Sequence, residues 1–393
     1  MSVPEAVLPE TSSAQGICLG LTPEQEAARA EFRAFVEAEI TPFAGRWDRE
    51  ACVPDELLEK LRNRGYLAAP LAREEGGGGM DPITYGLLTA EIGRACSSSR
   101  SLLTVHDMAV VALARWGKPP LKERYLPGLA KGPLFGAVAL SEPNVGSAAT
   151  RVETTARRDG DEFVLDGEKC WITFGQVAHL FLLLAQLDGK PTAFLVPADA
   201  PGLSRHENDL VMGTRAARLA RLELSGCRIP GDHILGGPGF GFSYVLNYAL
   251  DLGRYSVAWG SVGIAEACLE ASLDYTSRRR QGGALLCDHQ LVQRRLTEMI
   301  ADSRAARLLC YRAGYLRRMG EPAAVQETKI AKYFASRAAN RCAGSAVQLH
   351  GANGTTDNYP VARYLRDAKV MEIIEGSTEI QQIIIPRTRP EEF

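Results

Sequence analysis

The chain lacks the patterns that would mark a disulfide framework, a metal site, a nucleic-acid surface or a membrane span. Its nine cysteines are odd in number, scattered, and never spaced Cys-x-x-Cys, which favours reduced packing thiols over disulfides or zinc. The six histidines show no His-x-x-x-His or His-Glu-x-x-His spacing, so no metal site is expected. A formal net charge of -2 is not the basic excess of a nucleic-acid binder. No window approaches the roughly 18 apolar residues of a membrane helix. Residues 1–20 have neither a basic start nor a sustained apolar run, and read as a loose tail, not a signal peptide. The cytosol is the expected compartment. No strand-GxGxxG-helix unit occurs, and no Lys-Ser/Thr follows the glycine run 76–79, so neither a Rossmann nor a P-loop phosphate site is indicated. Internal repeats and low-complexity linkers are also missing.

What remains is enough apolar material for a continuous core, arranged in three zones. Residues 21–135 read as helical. Thr22-Pro23-Glu24-Gln25 offers an N-cap, a first-turn proline and a capping-box Gln, and Ala28, Phe32, Phe35, Val36 and Ile40 follow on one helical face. A second start is expected at Asp81-Pro82. Residues 136–240 change texture. Short apolar runs at 163–165, 180–184 and 192–196 alternate with Asp-Gly and Pro-Gly turn signals, which predicts a small antiparallel β domain or barrel. Residues 241–393 return to long helices near 243–280, 288–319 and 321–350. Gly253, Gly260 and Gly263 cost helix stability there, so close helix packing or ligand approach must offset them.

Four segments carry chemical potential, each with a plain structural alternative. Val138–Ser147 joins the helical and β zones, and its amides and the Ser141 and Ser147 hydroxyls suit a polar ligand, although a surface turn explains them as well. Trp171-Ile172-Thr173 pairs a flat aromatic with a hydroxyl on one short strand; a buried core tryptophan is the simpler reading. Arg279, with Gln281 and Gln290 beyond a loop, suits a pyrophosphate, but cations are favoured at any helix C-terminus. Glu375, between Ile373-Ile374 and Gly376, should be partly desolvated and raised in pKa toward the range of a base; the alternatives are a cap or a surface glutamate.

In this order and at these separations, the segments resemble the acyl-CoA dehydrogenase superfamily from about residue 21 to 388. The resemblance implies an N-terminal helical domain, a β-barrel domain and a C-terminal four-helix bundle, mostly α with a small central β domain. It implies FAD held at a subunit interface in a homodimer or homotetramer. Leu140, Ser141 and Ser147 are similar to the flavin and substrate turn, and Trp171, Ile172 and Thr173 to a second flavin segment. Asp251 and Arg254 look like an Asp-x-x-Arg pair near the thioester, joined at the substrate by Ser147 and Gly376. Arg279, Gln281, His289 and Gln290 resemble cofactor contacts made by the neighbouring subunit, and Gln348, Leu349 and Gly351 a pyrophosphate segment. Ser377 and Glu379 belong to the same implied cofactor set. Glu375-Gly-Ser-Thr is similar to the motif whose glutamate takes the α-proton while the β-hydrogen leaves to the flavin.

Ala148, Phe174, Gly282 and Ile374 depart from the family pattern and weigh against a standard fatty acyl substrate. Cys96–Thr104, Ser256–Ile264, Asp288–Val292 and Arg366–Gly376 look like a biosynthetic branch that supplies hydroxymalonyl- or methoxymalonyl-carrier-protein extender units for polyketides. That branch implies a short glyceryl-type acyl group on an acyl carrier protein, passing electrons to a further acceptor. The alternatives are a catabolic short- or branched-chain acyl-CoA dehydrogenase, a flavin monooxygenase or oxidase on the same fold, and a flavin-free protein that only binds a carrier.

Overall fold

The computed structural model describes residues 20–387; apart from Gly20, the expected loose tail lies outside the described residues. Six helices come first: α1 (Pro23–Glu39), α2 (Ala44–Glu50), α3 (Asp55–Asn63), α4 (Pro82–Ala95), α5 (Ser97–Trp116) and α6 (Pro119–Ala130). The capping box forms as the sequence requires. Gln25 N donates to Thr22 Oγ1 at 3.3 Å and Thr22 N donates to Gln25 Oε1 at 3.1 Å, satisfying two otherwise unpaired amides. Asp81 caps α4 through the amides of Ile83 and Thr84.

The strands are β1 (Gly136–Ala139), β2 (Thr155–Asp159), β3 (Glu162–Ile172), β4 (Leu180–Leu187), β5 (Lys190–Pro197), β6 (Leu203–Glu207), β7 (Ala220–Pro230) and β8 (Ile234–Leu235). They form one sheet in the order β6-β7-β3-β2-β4-β5-β8, with β1 also on β4. The expectation of a purely antiparallel domain is corrected, because β1 and β2 both pair with β4 in parallel. The reason is geometric. β1 pairs with residues 180–183 and β2 with Gln186 and Leu187, so the two strands lie end to end along one edge of β4. The chain between them is therefore extruded as a loop, and that loop carries Leu140–Ser147.

A buried ion pair bolts this loop down. Lys169 on β3 donates to Glu142 Oε1 and to Leu184 O, both at 2.6 Å, with Lys169 fully enclosed. Glu142 in turn accepts from Thr154 N and Thr154 Oγ1 at 3.0 and 2.6 Å. Burial drives the Lys169 ammonium down to about 8 against the pull of Glu142. Burial pushes Glu142 the other way, but Lys169 and the hydrogen bonds outweigh it and keep its carboxyl below the ordinary range.

The C-terminal zone holds α7 (Asn247–Arg278), a short hairpin of β9 (Arg280–Gln281) and β10 (Ala284–Leu285), then α8 (Gln290–Met319), α9 (Ala324–His350), α10 (Val361–Met371) and α11 (Thr378–Ile384). One π-type turn, Gly241–Leu246, leads into α7. From Ala249 to Ala265 α7 is buried on every side, as expected of a helix with no polar face. It packs against α4, α5, α8, α9 and α10. Its glycines permit that crowding: a Cβ on Gly263 would overlap Ala90 O of α4, and one on Gly260 would lie 2.9 Å from Arg100 Cδ. No helix among the described residues is long and apolar enough to cross a membrane.

Replacing Lys169 by Met strands a buried Glu142 charge, and should cost about 3–5 kcal/mol. Denaturant midpoints of the two proteins measure it; a loss below about 1 kcal/mol would show that the pair does not anchor the loop.

Candidate active site

Glu375 reaches its position through a sharp turn after α10. Glu375 and Gly376 take φ values of 55° and 86°. A non-glycine residue in that left-handed region costs on the order of 1–3 kcal/mol and persists only when its surroundings enforce it. Here they do. Arg254 Nε donates to Glu375 O at 3.3 Å, Lys332 Nζ to Gly376 O at 2.7 Å, and Gln381 Nε2 to both carbonyls at 3.3 and 3.2 Å. Both carbonyls of the turn are therefore held. The Glu375 and Gly376 amides make no hydrogen bond among the described residues and remain available to polarise an acceptor, such as a thioester carbonyl, beside them.

The turn drives the Glu375 side chain against α7 and α5. A Cβ on Gly253 would lie 2.7 Å from Glu375 Cδ and 2.7 Å from Met108 Sδ, so only glycine leaves room there for the carboxylate. The residue as a whole is half-buried, but Oε2 is shielded from solvent and has no hydrogen-bond partner. Burial pushes its pKa up, while the charges of Arg254, Arg100 and Lys332 pull it back. A desolvated, unbonded carboxylate held ionisable by nearby cations has the properties of a general base.

The other expected residues fall into two groups. Near Glu375, Asp251 receives an ion pair from Arg317 at 2.7 Å, while its Oδ1 is buried without a partner. The loop holding Leu140, Ser141 and Ser147 is tied to β3, where Cys170 N donates to Ser141 O at 2.9 Å. The next residue, Trp171, overturns the core reading: its indole is 55% exposed and its φ is 60°. A large aromatic turned outward by strained backbone presents a flat face to a ligand. Ile172 is in the core and Thr173 sits in the turn beyond the strand rather than on it, so Ile172 offers only its backbone. Phe174, one of the departures, fills the core against Phe135. Ser377 caps α11 by accepting from Ile380 N, and Glu379 is exposed in its first turn.

The second group sits at the opposite end of α7. Arg279 is the C-cap of that helix, 25 residues beyond Arg254, which at 1.5 Å rise puts it about 37 Å away. Arg279, Gln281, Gln290, Gln348 and Gly351 are all exposed there. His289 Nε2 lies 3.1 Å from Gln281 O, and Leu349 is buried and can offer only backbone. The hairpin accommodates the departure at Gly282: Gly282 and Gly283 have φ of 58° and 83°, which glycine adopts without the cost a larger residue would meet. Tyr275, stacked on His350 at 4.2 Å, brings the ends of α7 and α9 together. The separation between Arg254 and Arg279 exceeds the reach of one extended dinucleotide. A cavity of about 680 Å³ lined by Arg62, Tyr125, His179 and Arg205 contains none of these residues.

Sequence reasoning missed Arg100, Met108 and Lys332. Arg100 and Met108 recur at helical spacing on α5, a signal that was available; Lys332 sits in an alanine-rich stretch with no local signal.

Models of the acyl-CoA dehydrogenase N-terminal, middle and C-terminal domains match residues 22–133, 137–227 and 239–388. The chain belongs to the acyl-CoA dehydrogenase family. It is 38% identical to a Bacillus subtilis (strain 168) protein named as a probable acyl-CoA dehydrogenase, YngJ, over 93% of this chain and 98% of that one. Among solved structures, a glutaryl-CoA dehydrogenase from Mycobacterium smegmatis superposes with a TM-score of 0.90 at 31% identity, covering 93% of this chain and 94% of that one. FkbI, described as serving biosynthesis of the methoxymalonyl extender unit of the Fk520 polyketide immunosuppressant, superposes at 0.83 with 34% identity, covering 92% and 98%.

The chain is thus an FAD-dependent oxidoreductase of acyl thioesters. Its residues fit that cofactor. The outward indole of Trp171 suits a flat ring, and the exposed Arg279 guanidinium, with no ion-pair partner among the described residues, suits a pyrophosphate.

A base must be ionised to act, so the rate of substrate-driven flavin reduction should rise with pH through the raised pKa of Glu375. Removing the Arg254 charge makes the carboxylate harder to ionise, so Arg254→Met should move that limb to higher pH. An unmoved limb in stopped-flow pH profiles would uncouple the two groups.

Proposed function

We propose that this protein oxidises a short acyl thioester carried on an acyl carrier protein, with a glyceryl-type acyl group and with Glu375 as the base. The observation that carries the reading is the Glu375 carboxylate, which is desolvated, unbonded and faced by three cations. In the reaction, Glu375 forms an O–H bond as the acidic Cα–H bond of the substrate breaks. The free amides of the turn hold the thioester carbonyl, which makes that proton acidic. Arg254 and Lys332 keep the base ionised between turnovers and fix the turn that aims it. FAD, when bound, supplies the acceptor for the β-hydrogen and its electron pair. Trp171 and the Ser141 and Ser147 hydroxyls orient the ring end, beside Asp251 and Arg254.

The far group, from Arg279 to Gly351, serves the cofactor of a second copy of the chain. Exposed leucines support a contact there: Leu273 is 44% and Leu291 77% exposed, beside Arg279 and Gln290. Oligomers commonly bury such patches.

Support for the carrier protein and the extender-unit pathway comes from the likeness to FkbI along nearly the whole of both chains. The second reading, a catabolic short- or branched-chain acyl-CoA dehydrogenase, draws on the likeness to YngJ. A monooxygenase has no use for an α-proton base in Glu375's position.

Anaerobic titration of the flavin with one acyl group on carrier protein and on CoA separates the two readings. Bleaching by the carrier-protein thioester with the CoA form inert is the expected result, and equal bleaching by free acyl-CoA would favour catabolism. The Glu375→Gln variant should keep its yellow flavin and lose substrate-driven bleaching by at least about 1000-fold. Full activity in that variant would end the base assignment.

A further inference from the structure

The seam between α5 and α7, where the Glu375 carboxylate lies, is closed at one end and open at the other. Every residue from Ser97 to Val110 on α5 and from Ala249 to Ala265 on α7 is buried, which walls off the Arg100 end from solvent. Burial lapses at Arg115 and Trp116 on α5 and at Asn247 and Tyr248 on α7. Trp116 stands two turns beyond Met108, about 12 Å, and Tyr248 stands about 7 Å before Gly253. The helices meet at this open end, where the ring centroids of Trp116 and Tyr244 are 6.0 Å apart. Of the two ends of the seam, this one gives the arm of a thioester a way out.

The surface around that exit combines uncovered aromatic rings with cations. In the π-type turn 241–246, Tyr244 N and Val245 N both donate to Phe240 O at 3.2 Å; widened turns of this kind are rare and frequent at functional sites. Phe240 stacks on Tyr244 at 4.9 Å, and Tyr248 follows one turn later. The three rings are 45%, 52% and 47% exposed, an apolar stripe of the kind that marks an interaction site. Lys190, at the start of β5, lies beside Phe240, since a Cβ on Gly239 would be 3.5 Å from its Cδ. Lys122 packs on Gly117 in the same way at 3.3 Å, and Lys118 lies between Gly117 and α6. None of Arg115, Lys118, Lys122 and Lys190 has an ion-pair partner among the described residues. Residues 111–122 and 236–250 contain no carboxylate; Glu123, Asp188 and the buried Asp251 border them.

We propose that Phe240, Tyr244 and Tyr248, flanked by Lys118, Lys122 and Lys190, form the docking surface for an acidic acyl carrier protein. The assignment rests on the carrier-protein reading above and names where that partner sits. Two features of such a carrier match the patch. The phosphodiester at the root of its arm and the carboxylates of its surface pair with the unpartnered lysines. The apolar side chains of one of its helices cover the rings, which are otherwise left in water. Free CoA carries phosphates as well, but its purine can stack on one ring only. The stripe of three runs about 12 Å along the chain, a span that takes a helix of the partner to cover.

The test titrates flavin reduction in the holoenzyme with one acyl group carried on carrier protein, on CoA and on pantetheine, which has neither phosphate nor protein. The wild type is compared with a Lys118→Glu, Lys190→Glu double variant and with Tyr244→Ala. Each variant should raise the half-reducing concentration of the carrier-protein thioester at least about tenfold, that of the CoA thioester less than about threefold, and that of the pantetheine thioester not at all. Both lysines are exposed, so the double variant keeps the fold, and its titration decides if Tyr244→Ala does not hold flavin. Equal losses on carrier protein and CoA would overturn the docking surface by assigning the patch to the nucleotide of CoA. An effect on the pantetheine thioester, or no effect on any of the three, would overturn it as well. A wild type that the carrier-protein thioester does not reduce would overturn the proposed function, and the docking surface with it. A wild type that it does reduce, with variants unchanged, would overturn the docking surface alone.

Discussion

Three buried or nearly buried cations, Arg100 from α5, Arg254 from α7 and Lys332 from α9, bring their charge to bear on the single carboxylate of Glu375. Burial pushes each cation down, to about 10 for Arg100 and about 8 for Lys332, and burial pushes the carboxyl up. The carboxylate offsets part of the cost of burying each cation and the cations offset part of its own, although Arg254 and Lys332 repel one another. No ion pair at bonding distance satisfies them: Arg254 and Lys332 spend their donors on the carbonyls of the 375–376 turn, not on the carboxylate. The arrangement holds the base electrostatically while leaving its oxygen unbonded, which a direct salt bridge would not do.

That arrangement in turn depends on α7 being glycine-punctuated. A helix buried on every side must let five neighbours approach, and each of its glycines answers a particular one. Gly263 admits a carbonyl of α4, Gly260 admits the Arg100 stem, and Gly253 admits the catalytic-site carboxylate. The first is a packing constraint and the last makes room for the proposed base, though all three look alike in the sequence. The length of the same helix sets the assembly problem, because it separates the Arg254 end from the Arg279 end by more than one cofactor can bridge. On the reading proposed above, a second copy of the chain, its Arg279 end set against the Trp171 face of the first, resolves it.

What the sequence revealed is what local physics determines. The Thr22–Gln25 box, the Asp81 cap and the desolvated glutamate all follow from neighbours a few residues away. The parallel course of β1 and β2 on β4 does not, because it depends on which edge a distant strand leaves open. The outward turn of Trp171 does not either: tryptophan favours burial, and the left-handed backbone at that residue turns it outward. Lys169 and Glu142 are 27 residues apart, and neither position carries a local sign that the two will be enclosed together. The Arg100 face of α5 is an intermediate case. The Arg100, Thr104 and Met108 spacing was in plain view, but its meaning needs the opposing face of α7.

Polar side chains in the helical interior find their partners in different ways. Around α7 the hydroxyls that serve structure alone are satisfied within their own helix, as Ser261, Ser272 and Thr276 are, each donating to the carbonyl four residues earlier. At the level of Arg100, Ser101 and Thr104 are satisfied in the same way, but Arg100 itself is enclosed with no carboxylate at ion-pair distance among the described residues and leaves its Nε unbonded. A core under selection for stability alone would replace such a group by leucine and gain from it. Arg100 is kept where its charge reaches Glu375, which helps to hold that carboxylate ionisable.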